Sequence, residues 1–344
     1  MSKPILVLKI GTASITTLDG DLDQVAMVEI ARQISQVHSK YNVVIVSSGA
    51  VGTGKNQLKN YQGGIIERKA AAAIGNPLLL NKYAQFFAPY NIFIAQSLCE
   101  RTHFSNSSKF SQLRQTFHEL WKNNIIPIAN ENDVVSNLEL KFSDNDELAT
   151  LLAVGFGAEV LLIGTSVDGV YDKSKTVIPE IANIDKDIMG LAHERKSSLG
   201  LGGMISKLTF SRLATKLGVK TIIFNNRIDD GILKALNHQT GTVCLPHKTT
   251  TKEQQDWLAS GNIITGKLEI SSAASAEIKN QKNLSVSGVT KVLENFEKGE
   301  IFEILNGENK PIALARAQIS SKQIVEKIND QSFEIAAAQQ IVLL

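Results

Sequence analysis

Short apolar runs alternate with amphipathic stretches through the first 245 residues or so of the chain. The runs at 5–8, 43–46, 92–95, 125–129, 160–163 and 219–224 are each long enough for one buried strand and too short for a helix. Between them the period changes to that of helices. Asp23 is placed to cap a helix that carries Met27, Ile30, Ala31, Ile34 and Val37 on one face. Residues 67–88 read as a helix with small residues at Ala70 to Ala73, and Pro77 is expected to kink it or split it in two. Residues 107–123 place Phe110, Leu113, Phe117 and Leu120 on one stripe. Further helices are expected from Leu148, through Leu208, Ala214 and Leu217, and over 230–237, before a last strand at 242–245. Strand, helix, strand in this rhythm predicts a mainly parallel sheet with crossover helices.

The texture changes after Pro246-His247-Lys248-Thr249-Thr250-Thr251-Lys252, a polar run that marks the expected boundary between a domain at 1–250 and another at 261–344. Beyond it come short strands and turns, at 267–270, 286–292, 300–305 and 312–317, with Asn306-Gly307 as a turn signal. Two domains suit a chain of 344 residues. Residues 261–344 hold nine Lys/Arg against ten Asp/Glu, and the whole chain carries a net charge of only +2, so neither suggests a nucleic-acid partner. The two cysteines, Cys99 and Cys244, stand far apart with no CxxC and no neighbouring pair of histidines, which fits neither a disulfide framework nor a zinc site. No apolar run approaches the ~20 residues of a membrane helix, and the N-terminus lacks a signal peptide's apolar core. A soluble cytoplasmic protein is expected.

Candidate chemistry gathers at the strand ends. Asn130-Glu131-Asn132-Asp133 follows one apolar run, and Asp144-Asn145-Asp146-Glu147 leads straight into a helix. Acidic groups this dense repel unless cations hold them, and strand ends beside helix starts are where open α/β sheets bind ligands. Lys9-Ile10-Gly11-Thr12 ends the first strand with a cation and a flexible turn. Ser47-Ser48-Gly49-Ala50-Val51-Gly52-Thr53-Gly54-Lys55-Asn56 nearly spells a P-loop, but Asn56 stands where a hydroxyl should hold Mg²⁺, so a glycine-rich turn facing a small anion is the better reading. Three glycines in Leu199-Gly200-Leu201-Gly202-Gly203-Met204-Ile205-Ser206-Lys207 head another helix, where free amides and the helix dipole favour an anion. A calcium loop starting at Asp144 fails, because Ala149 takes the place of its required glycine.

In this order the motifs resemble the glutamate 5-kinases of the amino acid kinase superfamily. These are Lys9-Ile10-Gly11-Thr12, Ser47-Ser48-Gly49-Ala50, Asn130-Glu131-Asn132-Asp133, Asp144-Asn145-Asp146 and Gly202-Gly203-Met204 through Lys207. The resemblance covers nearly the whole chain, since residues 261–344, and Gly288 through Glu300 most of all, look like a PUA domain. It implies a three-layer α/β/α sandwich with a mainly parallel sheet, plus a small β-rich PUA-like domain. It also implies ATP-dependent phosphorylation of the side-chain carboxylate of L-glutamate, with Mg²⁺ carried by the nucleotide phosphates and no metal site of the protein's own. Lys9, Lys207 and Asp146 would be catalytic, the carboxylate holding the two lysines in place. Ser48, Asp133 and Asn145 would bind glutamate. Lys9, Thr165, Ser166 and the segment Leu201, Gly202, Gly203, Met204, Ile205, Ser206 and Lys207 would bind ATP. Proline as feedback inhibitor and a homo-oligomer are implied as well, while RNA binding by the PUA-like domain is not favoured and no membrane partner is expected.

The chain departs from the family's usual pattern at four positions. Leu201 and Ser206 stand where Thr is usual, Ser166 where Asp is frequent, and Asn76 where Gln is usual. Leu201 and Ser166 remove polar contacts near the nucleotide, which bears on nucleotide affinity and base preference. Acetylglutamate kinase or aspartokinase is the rival within the superfamily, and a regulatory RNA-binding protein on a kinase fold the rival outside it. The Asn-Glu-Asn-Asp cluster and the PUA-like tail weigh against the first, and the balanced charge of the tail against the second.

Overall fold

The computed structural model describes residues 3–17, 21–100, 103–104, 107–134, 145–193, 203–248, 264–296, 298, 301–327, 333–338 and 341–343. They divide into two compact units, one holding the described residues through 248 and the other those from 264 onward.

The first unit opens with β1 (Ile5–Ile10), a one-turn helix α1 (Thr12–Ile15) and α2 (Gln24–Val37), then β2 (Asn42–Ser47). Helices α3 (Ala50–Lys55) and α4 (Ile65–Phe87) lead to β3 (Phe93–Cys99), α5 (Ser107–Lys122) and β4 (Ile125–Glu131). After α6 (Asn145–Phe156) come β5 (Val160–Thr165), β6 (Glu180–Ile181), α7 (Lys186–His193) and α8 (Met204–Lys216). Strand β7 (Lys220–Asn225), α9 (Gly231–Leu236) and β8 (Thr242–Cys244) complete it. The strands form one sheet in the order β3-β4-β2-β1-β5-β7-β8-β6, and every pair is parallel except β7 with β8. The carboxyl ends of β4, β2, β1, β5 and β7 therefore lie along one edge, with β1 in the middle.

Both faces of this sheet are covered, which is why its strands read as unbroken apolar runs. Leu6, Leu8 and Ile10 of β1 pack with Leu162 and Phe224 against Met27, Ile30 and Ile34 of α2 and Leu79, Tyr83 and Phe87 of α4. Asp23 caps α2 as expected, accepting from the Ala26 amide at 3.0 Å. Alternation sends Val7 and Lys9 to the opposite face, where α6 lies, buried along its whole length from Asp146 to Phe156. Phe156 stacks on Phe117 and meets Trp121, both of α5, and the Trp121 indole donates to Val43 O at 3.0 Å.

One expectation is corrected at α3, and at α4 one of the two alternatives for Pro77 falls. Residues 50–55 form a helix and not a glycine-rich turn: only Gly49, at φ 106°, has the left-handed turn conformation. Gly54 instead serves helix packing. A Cβ on Gly54 would lie 1.9 Å from Ala71 O, and one on Gly75 would lie 1.7 Å from Ala50 O. Nor does Pro77 split α4, which runs unbroken from Ile65 to Phe87. The Ala73 carbonyl that Pro77 deprives of its partner belongs to an exposed residue, as Pro77 itself is, so water can satisfy it.

The second unit is a five-stranded sheet ordered β11-β9-β12-β13-β15, built from β9 (Ile264–Ile270), β11 (Val289–Glu294), β12 (Ile301–Leu305), β13 (Pro311–Arg316) and β15 (Ile341–Leu343). A two-stranded sheet of β10 (Leu284–Ser285) and β14 (Glu334–Ala336) accompanies it, with helices α10 (Ser272–Lys279) and α11 (Ser321–Glu326) capped by Ser271 and Ser320. Its core centres on Phe296 stacked on Phe302, 4.4 Å between centroids. The β12–β13 turn falls where Asn306-Gly307 predicts, for a different reason: the Asn306 side chain accepts from the Glu308 and Lys310 amides, and the left-handed residue is Asn309. No helix among the described residues is long and apolar enough to cross a membrane.

The contact at Gly75 predicts a contrast in stability. Gly75→Ala is expected to lower the unfolding free energy by about 2–3 kcal/mol, since the added methyl must push two helix backbones apart. Gly190→Ala, in α7 with nothing within 4 Å of the new Cβ, is expected to be neutral or to stabilise by up to about 1 kcal/mol. Urea denaturation of the two variants checks both values.

Candidate active site

Lys9 and Lys207 meet on one carboxylate. Lys9 Nζ lies 2.6 Å from Asp146 Oδ1, and Lys207 Nζ 3.0 Å from Asp146 Oδ2. All three are buried, Asp146 at 0% exposure, Lys9 at 5% and Lys207 at 7%. Local folding explains each placement. Lys9 is the next-to-last residue of β1, on the face opposite Leu8 and Ile10. Asp146 stands in the first turn of α6, where a carboxylate suits the positive end of the helix dipole. Lys207 is the fourth residue of α8, just beyond its N-cap Gly203. Burial by itself would raise the Asp146 carboxyl, but Lys9 and Lys207 outweigh it and hold it below its ordinary value.

Beside this triad, at the ends of β2 and β4, lies a chain of amides. Asn145 Nδ2 donates towards Ser47 O at 3.1 Å, Ser48 Oγ at 3.0 Å and Asn130 Oδ1 at 3.0 Å. Asn130 Oδ1 also accepts from the Glu131 backbone amide at 2.9 Å, and Asn130 Nδ2 donates to Asn76 Oδ1 at 2.9 Å. Two backbone groups orient the chain: the Ser47 carbonyl can only accept and the Glu131 N–H can only donate. Asn145 must therefore turn its NH₂ to the protein. Among the described residues its Oδ1 takes no hydrogen bond, so that oxygen is left for a donor on a ligand. Ser48 Oγ accepts from Asn145 and so keeps its own proton to donate.

The other residues singled out in the sequence occupy the same strand edge. Asp133 is half-buried in the turn after β4, Thr165 ends β5, and Ser166 is exposed just beyond it. Met204, Ile205 and Ser206 form the half-buried first turn of α8. Leu201, Gly202 and Asp144 lie outside the described residues, as does the boundary segment at 249–263. Sequence reasoning missed the parts played by Asn130 and Asn76. Asn130 was visible as the first polar residue after an apolar strand. Asn76 could have been noticed as an amide among the small residues of a helix, where exposure is only 6%.

Among the described residues no group of three or more His, Cys, Asp or Glu could hold a metal ion. Both oxygens of the central carboxylate, Asp146, are taken by lysines. What the edge can do is fix positive charge between a patch of oriented hydrogen-bonding groups on the β4–β2 side and the start of α8 with Thr165 on the β5 side. That arrangement suits two anions that must be brought together.

The sequence profile of the amino acid kinase family matches residues 4–225, and that of the PUA domain residues 266–337. The glutamate 5-kinase of Thermoanaerobacter sp. (strain X514) is 34% identical over 94% of this chain and 90% of its own length. That of Streptococcus suis (strain 05ZYH33) is 31% identical over 95% of each. Among solved structures, carbamate kinase from Giardia lamblia bound to AMP-PNP superposes with a TM-score of 0.53 at 20% identity, over 72% of this chain and 99% of that one.

Replacing the shared carboxylate tests the electrostatics. Asp146→Asn leaves two buried ammonium groups facing a neutral amide and is expected to cost about 3–5 kcal/mol of stability at neutral pH. Because the folded pKa is depressed, that contribution is complete above the unfolded pKa and is lost as pH falls through the folded value. The gap between wild type and variant in urea melts should be constant above about pH 5 and close below about pH 4.

Proposed function

Because the chain belongs to the amino acid kinase family, and within it to the glutamate 5-kinases that carry a PUA domain, we propose that it transfers the γ-phosphoryl group of ATP to the side-chain carboxylate of L-glutamate. The product is L-glutamyl 5-phosphate, in the first step of proline biosynthesis. One observation carries the mechanistic reading: two buried lysines from opposite ends of the kinase unit's sequence share the two oxygens of Asp146.

A glutamate side chain has a pKa near 4.3 and is already an ionised nucleophile at neutral pH. No general base is required. A carboxylate oxygen attacks the γ-phosphorus, the bond from that phosphorus to the β–γ bridging oxygen breaks, and ADP departs with the electron pair. The obstacle is the approach of one anion to another, so catalysis is a matter of positioning and charge neutralisation. Lys9 and Lys207 supply fixed positive charge to the transferring phosphoryl group, and Asp146 keeps both ammonium groups in place. Mg²⁺ enters with the nucleotide as part of the substrate.

Glutamate sits on the β4–β2 side. The Asn145 Oδ1 and Asp133 accept from its α-ammonium group, and the Ser48 hydroxyl donates to its α-carboxylate. ATP takes the β5 side, with Thr165, Ser166 and the segment 201–207 around it and its phosphates reaching Lys9 and Lys207. The reading includes a cytoplasmic homo-oligomer inhibited by proline, as the family resemblance implies.

Incubation with L-glutamate, Mg·ATP and hydroxylamine is expected to yield γ-glutamyl hydroxamate in proportion to ADP; ADP formation without glutamate dependence would reject the assignment. Lys9→Ala and Lys207→Ala should each lower kcat by about 100-fold or more and leave the KM for glutamate within about threefold, because each lysine acts mainly on the transition state. Either variant with near-normal kcat would remove that lysine from the mechanism.

A further inference from the structure

We infer that Asn76 is a positioning residue for the amino acid substrate: through Asn130 it keeps Asn145 presenting its oxygen, and not its NH₂, to the ligand. The inference rests on the glutamate-binding reading above and goes beyond it, because Asn76 belongs to none of the groups placed around either substrate.

The geometry confines Asn76 to this role. It is buried, with 6% exposure, on α4, next to the glycine that lets α3 close onto the helix. Its Oδ1 accepts from Asn130 Nδ2 at 2.9 Å, and the other end of the Asn130 amide holds Asn145 Nδ2 and the Glu131 backbone N–H. Asn130 can satisfy all three partners in one orientation only. Turned by 180°, it would point NH₂ at two donors and its oxygen at the Asn76 oxygen. Asn76 is thus the partner that makes the correct orientation of Asn130 complete, and Asn130 in turn is one of the three acceptors that hold the Asn145 NH₂.

Without an acceptor at position 76, the Asn130 NH₂ becomes a buried donor with no partner, a state that costs about as much as the hydrogen bonds favouring the correct rotamer. Asn130 then gains freedom to turn or shift, and the grip on Asn145 loosens. An Asn145 turned the wrong way meets the α-ammonium of glutamate with a donor. The loss falls on ground-state binding of the amino acid. It spares the phosphoryl-transfer step, because Lys9, Lys207 and Asp146 form no part of this chain of amides.

Steady-state kinetics of Asn76→Ala and Asn76→Gln test the inference. Alanine removes the acceptor without adding bulk and should raise the KM for L-glutamate about tenfold or more. Its KM for ATP and its kcat should stay within about threefold of wild type. Glutamine restores an amide oxygen and should return the glutamate KM to within about threefold of wild type. An unchanged glutamate KM in Asn76→Ala, a parallel rise in both KM values, or a Gln variant as impaired as the Ala variant would each overturn the inference and leave the kinase reading standing. A wild-type protein that makes no glutamate-dependent hydroxamate would overturn both. If Asn76→Ala does not fold, Asn76→Leu, which keeps the branching and the number of side-chain heavy atoms of Asn without an acceptor, carries the same expectations.

Discussion

A single carboxylate under two ammonium groups is the constraint from which the rest of the kinase unit follows. Asp146 is completely buried, and an unpaired charge there would be prohibitively costly. Its helix offers little escape to water, since α6 is buried from Asp146 to its end at Phe156. Lys9 must therefore end its strand on the face turned toward α6, and α8 must begin close enough for Lys207 to reach the second oxygen. Such a triad is a poor means of gaining stability, because well-packed apolar residues of similar volume would serve as well or better. What it does secure is placement: two cations held at fixed separation and away from water beside the end of β1.

The order of strands turns that local constraint into a divided site. With β1 at the centre, β2 and β4 deliver oriented hydrogen-bonding groups on one side, and β5 with the start of α8 lies on the other. Lys9 stands at the seam. Each half is fixed by backbone as much as by side chains. The Ser47 carbonyl and Glu131 N–H orient the amides, and Gly203 begins a helix whose first turn is directed at the same edge. These atoms are therefore oriented in advance, an arrangement that lowers the entropy a ligand would lose on association.

Helix α4 joins packing to this chemistry through three consecutive residues. Gly75 lets α3 approach to backbone contact, Asn76 anchors the buried amide chain, and Pro77 turns its ring to the exposed side. One turn and a half further on, Tyr83 donates to or accepts from Ser47, the same strand end that Asn145 grips. The helix thus braces the end of β2 from behind while its glycine sets the depth of the neighbouring one.

The strands and longer helices were legible in the residue pattern because their burial is periodic. Alternating and continuous apolar runs marked β1, β2, β4, β5 and β7, and Asp23 with Met27, Ile30 and Ile34 marked α2. The segments of the candidate site stood out for a related reason, as glycines, amides and charges at the ends of apolar runs, and the family resemblance singled out the individual residues within them. Contacts distant in sequence decided the rest. Residues 50–55 carry two glycines and read as a turn, yet they are helical because Gly54 lies against the Ala71 and Gly75 backbones. Asn309, and not Gly307, takes the left-handed conformation once the Asn306 side chain has claimed the nearby amides. The way each amide faces depends on the Ser47 carbonyl and the Glu131 N–H, which the fold brings to Asn145 and Asn130. Residue types and local periodicity are written in the chain, whereas the partner of each buried polar atom is chosen only when the sheet and helices close around it.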